Sequence, residues 1–194
     1  MPRKHRLWSP YHYFHIVMRG NNRQTIFLHH SDYQAFLRIL EYTYQKYQFS
    51  IIAFCIMPNH YHLLLRSPYA PHSKIMAMIN RRYSDYFKKK YNYTGHLYEK
   101  RFFSDIVPSP FDIIAVSRYI HRNPINTTVP LVETLALYLY SSYYYYYNKV
   151  PAPFCFLHQD TLLSYLIHSK YPTLDLYLTY CEDDYDLQLN HNKS

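Results

Sequence analysis

Two short stretches of this chain carry side chains spaced for chemistry. In Met57-Pro58-Asn59-His60-Tyr61-His62-Leu63-Leu64-Leu65 the two histidines stand two residues apart. On a strand, residues so spaced project from one face about 6.5–7 Å apart, while Tyr61 and Leu63 face away. Two neutral imidazoles in that relation are natural co-ligands of one divalent ion. The plain alternative is that two of 13 histidines fell at this spacing by chance. In Val116-Ser117-Arg118-Tyr119-Ile120-His121-Arg122-Asn123-Pro124, Tyr119 and Asn123 are four apart and share a helix face, with Cβ atoms about 5–6 Å from each other. A phenol beside an amide oxygen could place a nucleophile next to a third metal ligand. Tyr119 is also one of 26 tyrosines, and half-buried tyrosines are ordinary core residues. Arg118 and Arg122 form a neighbouring pair suited to phosphate. Asp32, Asp85, Asp105 and Asp112 fall in no acidic constellation, which argues against a two-metal carboxylate site.

Those stretches need elements to hold them. Tyr11 to Arg19 alternates loosely and is rich in Tyr, Phe, Ile and Val, the pattern of a strand, and Gly20-Asn21-Asn22 ends it. Ser31 opens a helix to about Tyr47, with Phe36, Leu37, Leu40 and Tyr44 at helical spacing. Phe49 to Met57 is a nearly continuous apolar run, Pro58-Asn59 a turn, and His60 to Arg66 the partner strand, so a tight antiparallel hairpin is expected. A second helix follows Pro71-His72-Ser73, with Ile75, Ile79, Tyr83 and Phe87 along one side. His96 to Val107 reads as a further strand. Ser109 caps a third helix, with Pro110 in its first turn and Asp112 at capping-box spacing, and Pro124 stops it. The order β-α-β-β-α-β-α predicts an α+β fold, an antiparallel sheet with helices packed on one face, ferredoxin-like or RRM-like. Residues 1–130 hold all of these elements and form one expected unit. Residues 131–194 form a mostly helical extension, with short helices near 159–168 and 174–181, and the tract Tyr143 to Tyr147 has no evident chemistry.

Composition narrows the function. The chain has 194 residues, 48% hydrophobic and 18% charged, enough to bury a core. Its 2 glycines, Gly20 and Gly95, cannot write either glycine-rich phosphate cradle, which excludes nucleotide-dependent enzymes of those kinds. Cys55, Cys155 and Cys181 are scattered and form no C-x-x-C pair, so neither a disulfide framework nor a zinc site is suggested. The basic start lacks the apolar run of a signal peptide, and no stretch approaches the ~20 apolar residues of a membrane helix, so a cytoplasmic protein without membrane contact is expected. The formal charge is +8, with an isoelectric point near 9.2. It is uneven: residues 1–129 hold 18 Lys or Arg against 6 Asp or Glu, and residues 130–194 hold 3 against 7. The cations cluster at Arg3, Lys4, Arg6, Arg19 and Arg23, at Arg81, Arg82 and Lys88 to Lys90, and at Lys100 and Arg101. Interleaved with Tyr and Phe, they suit a nucleic-acid backbone with bases to stack on. A solvated basic face has the same composition. The acidic end from Glu182 reads as a solvated terminus.

Taken in order, Arg19-Gly20-Asn21-Asn22, Met57-Pro58-Asn59-His60-Tyr61-His62, Gly95-His96-Leu97-Tyr98-Glu99-Lys100-Arg101-Phe102 and Arg118-Tyr119-Ile120-His121-Arg122-Asn123-Pro124 resemble the single-tyrosine transposases of the His-hydrophobic-His superfamily. Within that group the chain is most similar to the REP-associated tyrosine transposases. The resemblance spans about residues 5–130 and touches the extension only at Ser141-Ser142-Tyr143. It implies that His60, His62 and Asn123 hold Mg²⁺ or Mn²⁺, and that Tyr119 attacks the scissile phosphate of single-stranded DNA. It further implies a 5′-phosphotyrosine link that conserves the bond for rejoining, a substrate with palindromic or hairpin elements, and a monomer or homodimer at the bacterial nucleoid. The expected DNA contacts are Arg3, Lys4, Arg6, Arg19, Asn21, Arg23, Arg81, Arg82, Lys100, Arg101, Arg118 and Arg122. The rival from another class is a non-catalytic nucleic-acid-binding module that kept the fold.

Overall fold

A computed structural model describes residues 7–183. Strands β1 (Tyr13–Arg19), β2 (Ser50–Met57), β3 (His60–Arg66) and β4 (Phe103–Val107) form one sheet in the order β2-β3-β1-β4, antiparallel throughout. Helices α1 (His30–Tyr47) and α2 (His72–Tyr91) supply the crossovers. This is the ferredoxin-like arrangement expected, and β2–β3 is the expected hairpin, closed by Pro58-Asn59.

The pleat divides the side chains. Phe14, Ile16, Phe54, Tyr61 and Leu63 point to one face and are buried there against Phe36, Leu40, Ile79 and Tyr83 of α1 and α2. Ala53, Cys55 and Leu64 point to the other face. Helix α3 (Pro110–Arg122) covers that second face with Ile113, Ile114 and Ile120. The single-face placement of helices thus holds for α1 and α2 and is corrected for α3. The reason is that the second face is too apolar to be left in water, and α3 carries the matching stripe. Ser109 caps α3 as its sequence suggests: its hydroxyl accepts the Asp112 amide at 3.2 Å, and Pro110 sits in the first turn.

One expectation needs correction. The predicted strand from His96 is regular only from Phe103; residues before it loop back on the Gly20 corner, where Asn21 N–H donates to the Leu97 carbonyl at 2.8 Å and Tyr98 bridges Gly20. A glycine is required there, because a Cβ on residue 20 would collide with the Gln24 carbonyl oxygen and the Ile26 side chain. The extension packs against the rest of the fold. Helices α4 (Tyr143–Tyr147), α5 (Gln159–Leu166) and α6 (Leu174–Glu182) pack into the cluster beneath α3. The segments at Tyr140–Ser142 and Phe156–His158 hydrogen-bond along the outer side of β2. That cover explains why β2, a terminal strand of the sheet, is buried along its whole length. The tyrosine tract has a structural use: Tyr146 donates to the Ile52 carbonyl at 2.8 Å and Tyr143 to the Glu182 carboxylate at 2.9 Å.

Candidate active site

Strand β3 presents His60 and His62 on the face that α3 crosses, as its alternation requires. His62 is buried and His60 half-buried. Strand β1 adds a third imidazole: His15 lies diagonal to His62, whose direct partner is Val17. Its Nε2 is 2.9 Å from His62 Nδ1, and the two rings stack with centroids 5.2 Å apart. Asn123, at the C-terminal end of α3, completes the group. Its Nδ2 donates to the Tyr119 carbonyl at 2.9 Å, which turns Oδ1 toward His60 Nε2, 3.4 Å away. Tyr119 stands one helical turn earlier, 50% exposed, with its ring edge-on to His15 and His62 at 5.6 Å each.

The hydrogen bonds fix what this group can hold. Asn59 donates its Nδ2 to the Arg23 carbonyl at 3.2 Å, so its Oδ1 faces His60 Nδ1 at 2.6 Å and must accept a proton from it. His60 Nε2 then carries a lone pair, and so does the Asn123 Oδ1 opposite it. Two acceptors facing each other in a half-dry site are repulsive unless a cation lies between them. A proton is disfavoured in that role: burial, reinforced by the Arg19 charge and opposed by Asn123, lowers the His60 pKa to about 4. His62 is pushed down well below the usual imidazole range by burial and by His60, His15 and Arg19. Burial likewise brings His15 down to about 4, against an opposing pull from Asp105. All three are therefore neutral at pH 7, the form that ligates metal. Among the described residues no group of three or more His, Cys, Asp or Glu side chains is placed to hold an ion.

A cavity of about 490 Å³ opens beside this group. Tyr119, His15 and His62 line it together with Arg19, Arg23, Lys100, Arg101 and the half-exposed Phe103. Four of the expected cations thus converge on the tyrosine, because the loop before β4 is tied to the Gly20 corner. The other expected contacts lie elsewhere. Arg118 and Arg122 are buried, and their guanidinium groups donate to the Tyr180, Cys181 and Asp183 carbonyls at the end of α6, where they cap that helix. Arg81 and Arg82 belong to α2, on the opposite side of the sheet from the histidines; Arg81 pairs with Asp85 at 3.9 Å and Arg82 lies over the Tyr42 ring. Asn21 is exposed at the corner beside the cavity without lining it. Arg3, Lys4 and Arg6 lie outside the described residues. The residue missed by spacing alone is His15. Its signal was its place on the same pleated face as Val17 and Arg19, which becomes informative only once β1 is known to pair with β3.

A family model described as transposase, IS200-like, matches residues 9–123, more than half of the chain. The chain belongs to the IS200-like transposase family. The matched span ends on Asn123 and includes every member of the group just described. No curated protein matches the chain. Among solved structures, this IS200-like chain is similar to a REP-associated tyrosine transposase bound to a REP hairpin, with a TM-score of 0.64, 16% identity, and coverage of 77% of this chain and 87% of that one. A candidate transposase from Deinococcus radiodurans aligns with a TM-score of 0.43 and 16% identity, covering 62% of this chain and 97% of that one. The first likeness establishes a shared fold. Among the described residues no helix is long and apolar enough to cross a membrane.

Proposed function

We propose that this IS200-like transposase cleaves and rejoins hairpin-bearing single-stranded DNA, with Tyr119 as the nucleophile. The observation that carries the reading is the approach of His60 Nε2 to Asn123 Oδ1, 3.4 Å apart, one helical turn from Tyr119. His60, His62 and Asn123 would hold Mg²⁺ or Mn²⁺. Bound there, the ion supplies Lewis-acid polarisation of the scissile phosphate and neutralises charge on the leaving oxygen.

The protein's own groups do the rest. Arg19, Arg23, Lys100 and Arg101 bring the phosphate backbone into the cavity and compensate its charge. The helical turn from Tyr119 to Asn123 sets the phenol at a fixed reach from the ligand group, which replaces an encounter in solution by positioning. The Tyr119 oxygen bonds to phosphorus and loses its proton; the bond to the 3′ oxygen breaks, and that oxygen takes up a proton. The product is a 5′-phosphotyrosine ester and a free 3′-hydroxyl. The reverse step, with the same or another 3′-hydroxyl, rejoins DNA without an external energy source. The hairpin in the complex of the similar structure supports hairpin DNA as the substrate class.

The test is incubation of the full chain with Mn²⁺ and single-stranded hairpin oligonucleotides from the DNA around its gene. A covalent adduct on the 5′ end is expected, and Tyr119→Phe should abolish it while leaving DNA binding within about twofold, since only one exposed hydroxyl is removed. An undiminished adduct in Tyr119→Phe would refute the assignment. DNA binding with no adduct in the unaltered chain would favour a non-catalytic binding module.

A further inference from the structure

A second cavity, of about 540 Å³, opens beside His60. It shares Arg19 and Arg23 with the first, but Tyr119 does not reach it; its other walls are Thr25, Asn59 and His60, the loop Asn126 to Thr128 after α3, and the apolar Met57, Pro58 and Leu131. The site therefore meets both chambers, with His62 and Tyr119 lining the first and His60 the second. That loop is set by its own bonds: Asn126 N–H donates to the Arg122 carbonyl at 3.0 Å and the Thr127 hydroxyl to the Val129 carbonyl at 2.7 Å. The Asn126 amide and the Thr25 and Thr128 hydroxyls are exposed and make no hydrogen bond among the described residues.

In an in-line displacement the leaving oxygen departs opposite the nucleophile. With Tyr119 in the first chamber, the nucleotide that carries the leaving 3′ oxygen is directed into the second. We infer that the cavity of Thr25, Asn126 and Thr128 binds that nucleotide, the one immediately upstream of the cut, and reads its base. An amide and two hydroxyls carry no net charge and offer donors and acceptors together, which suits a base edge, whereas Arg19 and Arg23 on the shared wall suit the phosphates on either side. The inference rests on the tyrosine reading above, because the direction of attack defines which chamber receives the leaving group.

The test uses a DNA hairpin flanked on both sides by randomised single-stranded positions, with sequencing of the covalently captured products. The unaltered chain should show a base preference of roughly tenfold at the position just upstream of the cut, the worth of one good base contact. Asn126→Ala with Thr128→Ala should flatten that position alone. Asn126→Asp, which replaces a mixed donor and acceptor by acceptors only, should move the preference toward bases that present an amino group, such as cytosine. The same library is selected by binding to Tyr119→Phe, where the loop substitutions should again erase enrichment at one position. An upstream preference that survives both sets of loop substitutions, or equal flattening on both sides of the cut, would overturn the inference. Absence of any adduct would strike the tyrosine reading instead, and the binding selection would then decide the cavity, enrichment untouched by the loop substitutions counting against it.

Discussion

At the scale of single residues, the informative feature is how the imidazoles are held rather than their number. His62 offers Nδ1 to His15 at 2.9 Å, which leaves its other nitrogen for a ligand, and His60 is aimed by Asn59 at 2.6 Å. Partners of this kind fix the ring orientation and tautomer of a ligating histidine, and losing one costs about 10- to 100-fold in metal affinity. On the proposed reading, His15→Ala should weaken Mn²⁺ binding by about that factor in a calorimetric titration, and His15→Gln should recover part of it by keeping a polar group near Nδ1. His60→Ala and His62→Ala should each remove measurable Mn²⁺ binding, and the double variant should be no worse than either, because one lost ligand already opens the site. Unchanged Mn²⁺ affinity in His60→Ala would show that the ion, if bound, sits elsewhere.

At the scale of elements, α1 and α2 are joined by one buried carboxylate. Asp32 accepts the Leu28 and His29 amides at 2.8 and 2.9 Å at the start of α1, and also receives Lys90, Tyr86 and Tyr91 from α2. Burial alone would raise its pKa; the bonds from Lys90, Tyr91, the His29 amide and Tyr86 outweigh that and bring it down to about 2. Its folded pKa is thus below the ordinary carboxylate value near 3.9, so its stabilisation is complete above about pH 4 and is lost as pH falls toward 2. Asp32→Asn should destabilise the fold by about 3 kcal/mol, the usual loss when one partner of a buried ion pair is removed, read from urea unfolding at pH 7. A change below about 1 kcal/mol would mean that the helix–helix apolar contact carries this junction by itself.

For the molecule as a whole, the buried imidazoles set the response to acid. His121, on the buried side of α3, sits between Ser142 and Tyr177, at 2.8 Å from each, and burial lowers its pKa to about 3. Below pH 6.5 the unfolded chain takes up protons that the folded His121, His15 and His60 refuse, until about pH 3 for the first and about pH 4 for the other two. The unfolded state binds more protons in that window, so stability rises with pH through it and falls on acidification, by about 1.4 kcal/mol per pH unit for each imidazole held neutral. Melting in EDTA should therefore show a Tm that drops steadily from pH 6.5 toward 4.5. His121→Gln should make the drop shallower. A flat Tm over that range would contradict the neutral assignments.

Periodicity and punctuation determined the elements themselves. The alternation of β3 dictated that His60 and His62 share a face, and the capping residues Ser109 and Pro110 with the stop at Pro124 dictated a helix carrying Tyr119 and Asn123 on one side. These are local consequences of backbone geometry, legible over a few residues. Which face of the sheet α3 would cover was not local. It follows from the apolar side chains of β2 and β3 on the second face, and from the tyrosines of a C-terminal extension whose own periodicity is weak. The same holds for the cations. Arg118 and Arg122 look from their spacing like a phosphate clamp, yet they cap α6, because the carbonyls that meet them lie 62 and 59 residues further along. Arg19, Arg23, Lys100 and Arg101 converge only because Gly20 lets the loop before β4 close on the end of β1. Sequence spacing reports neighbours along one element; charge placement and the third imidazole depend on neighbours across elements, and only the packed sheet brings those together.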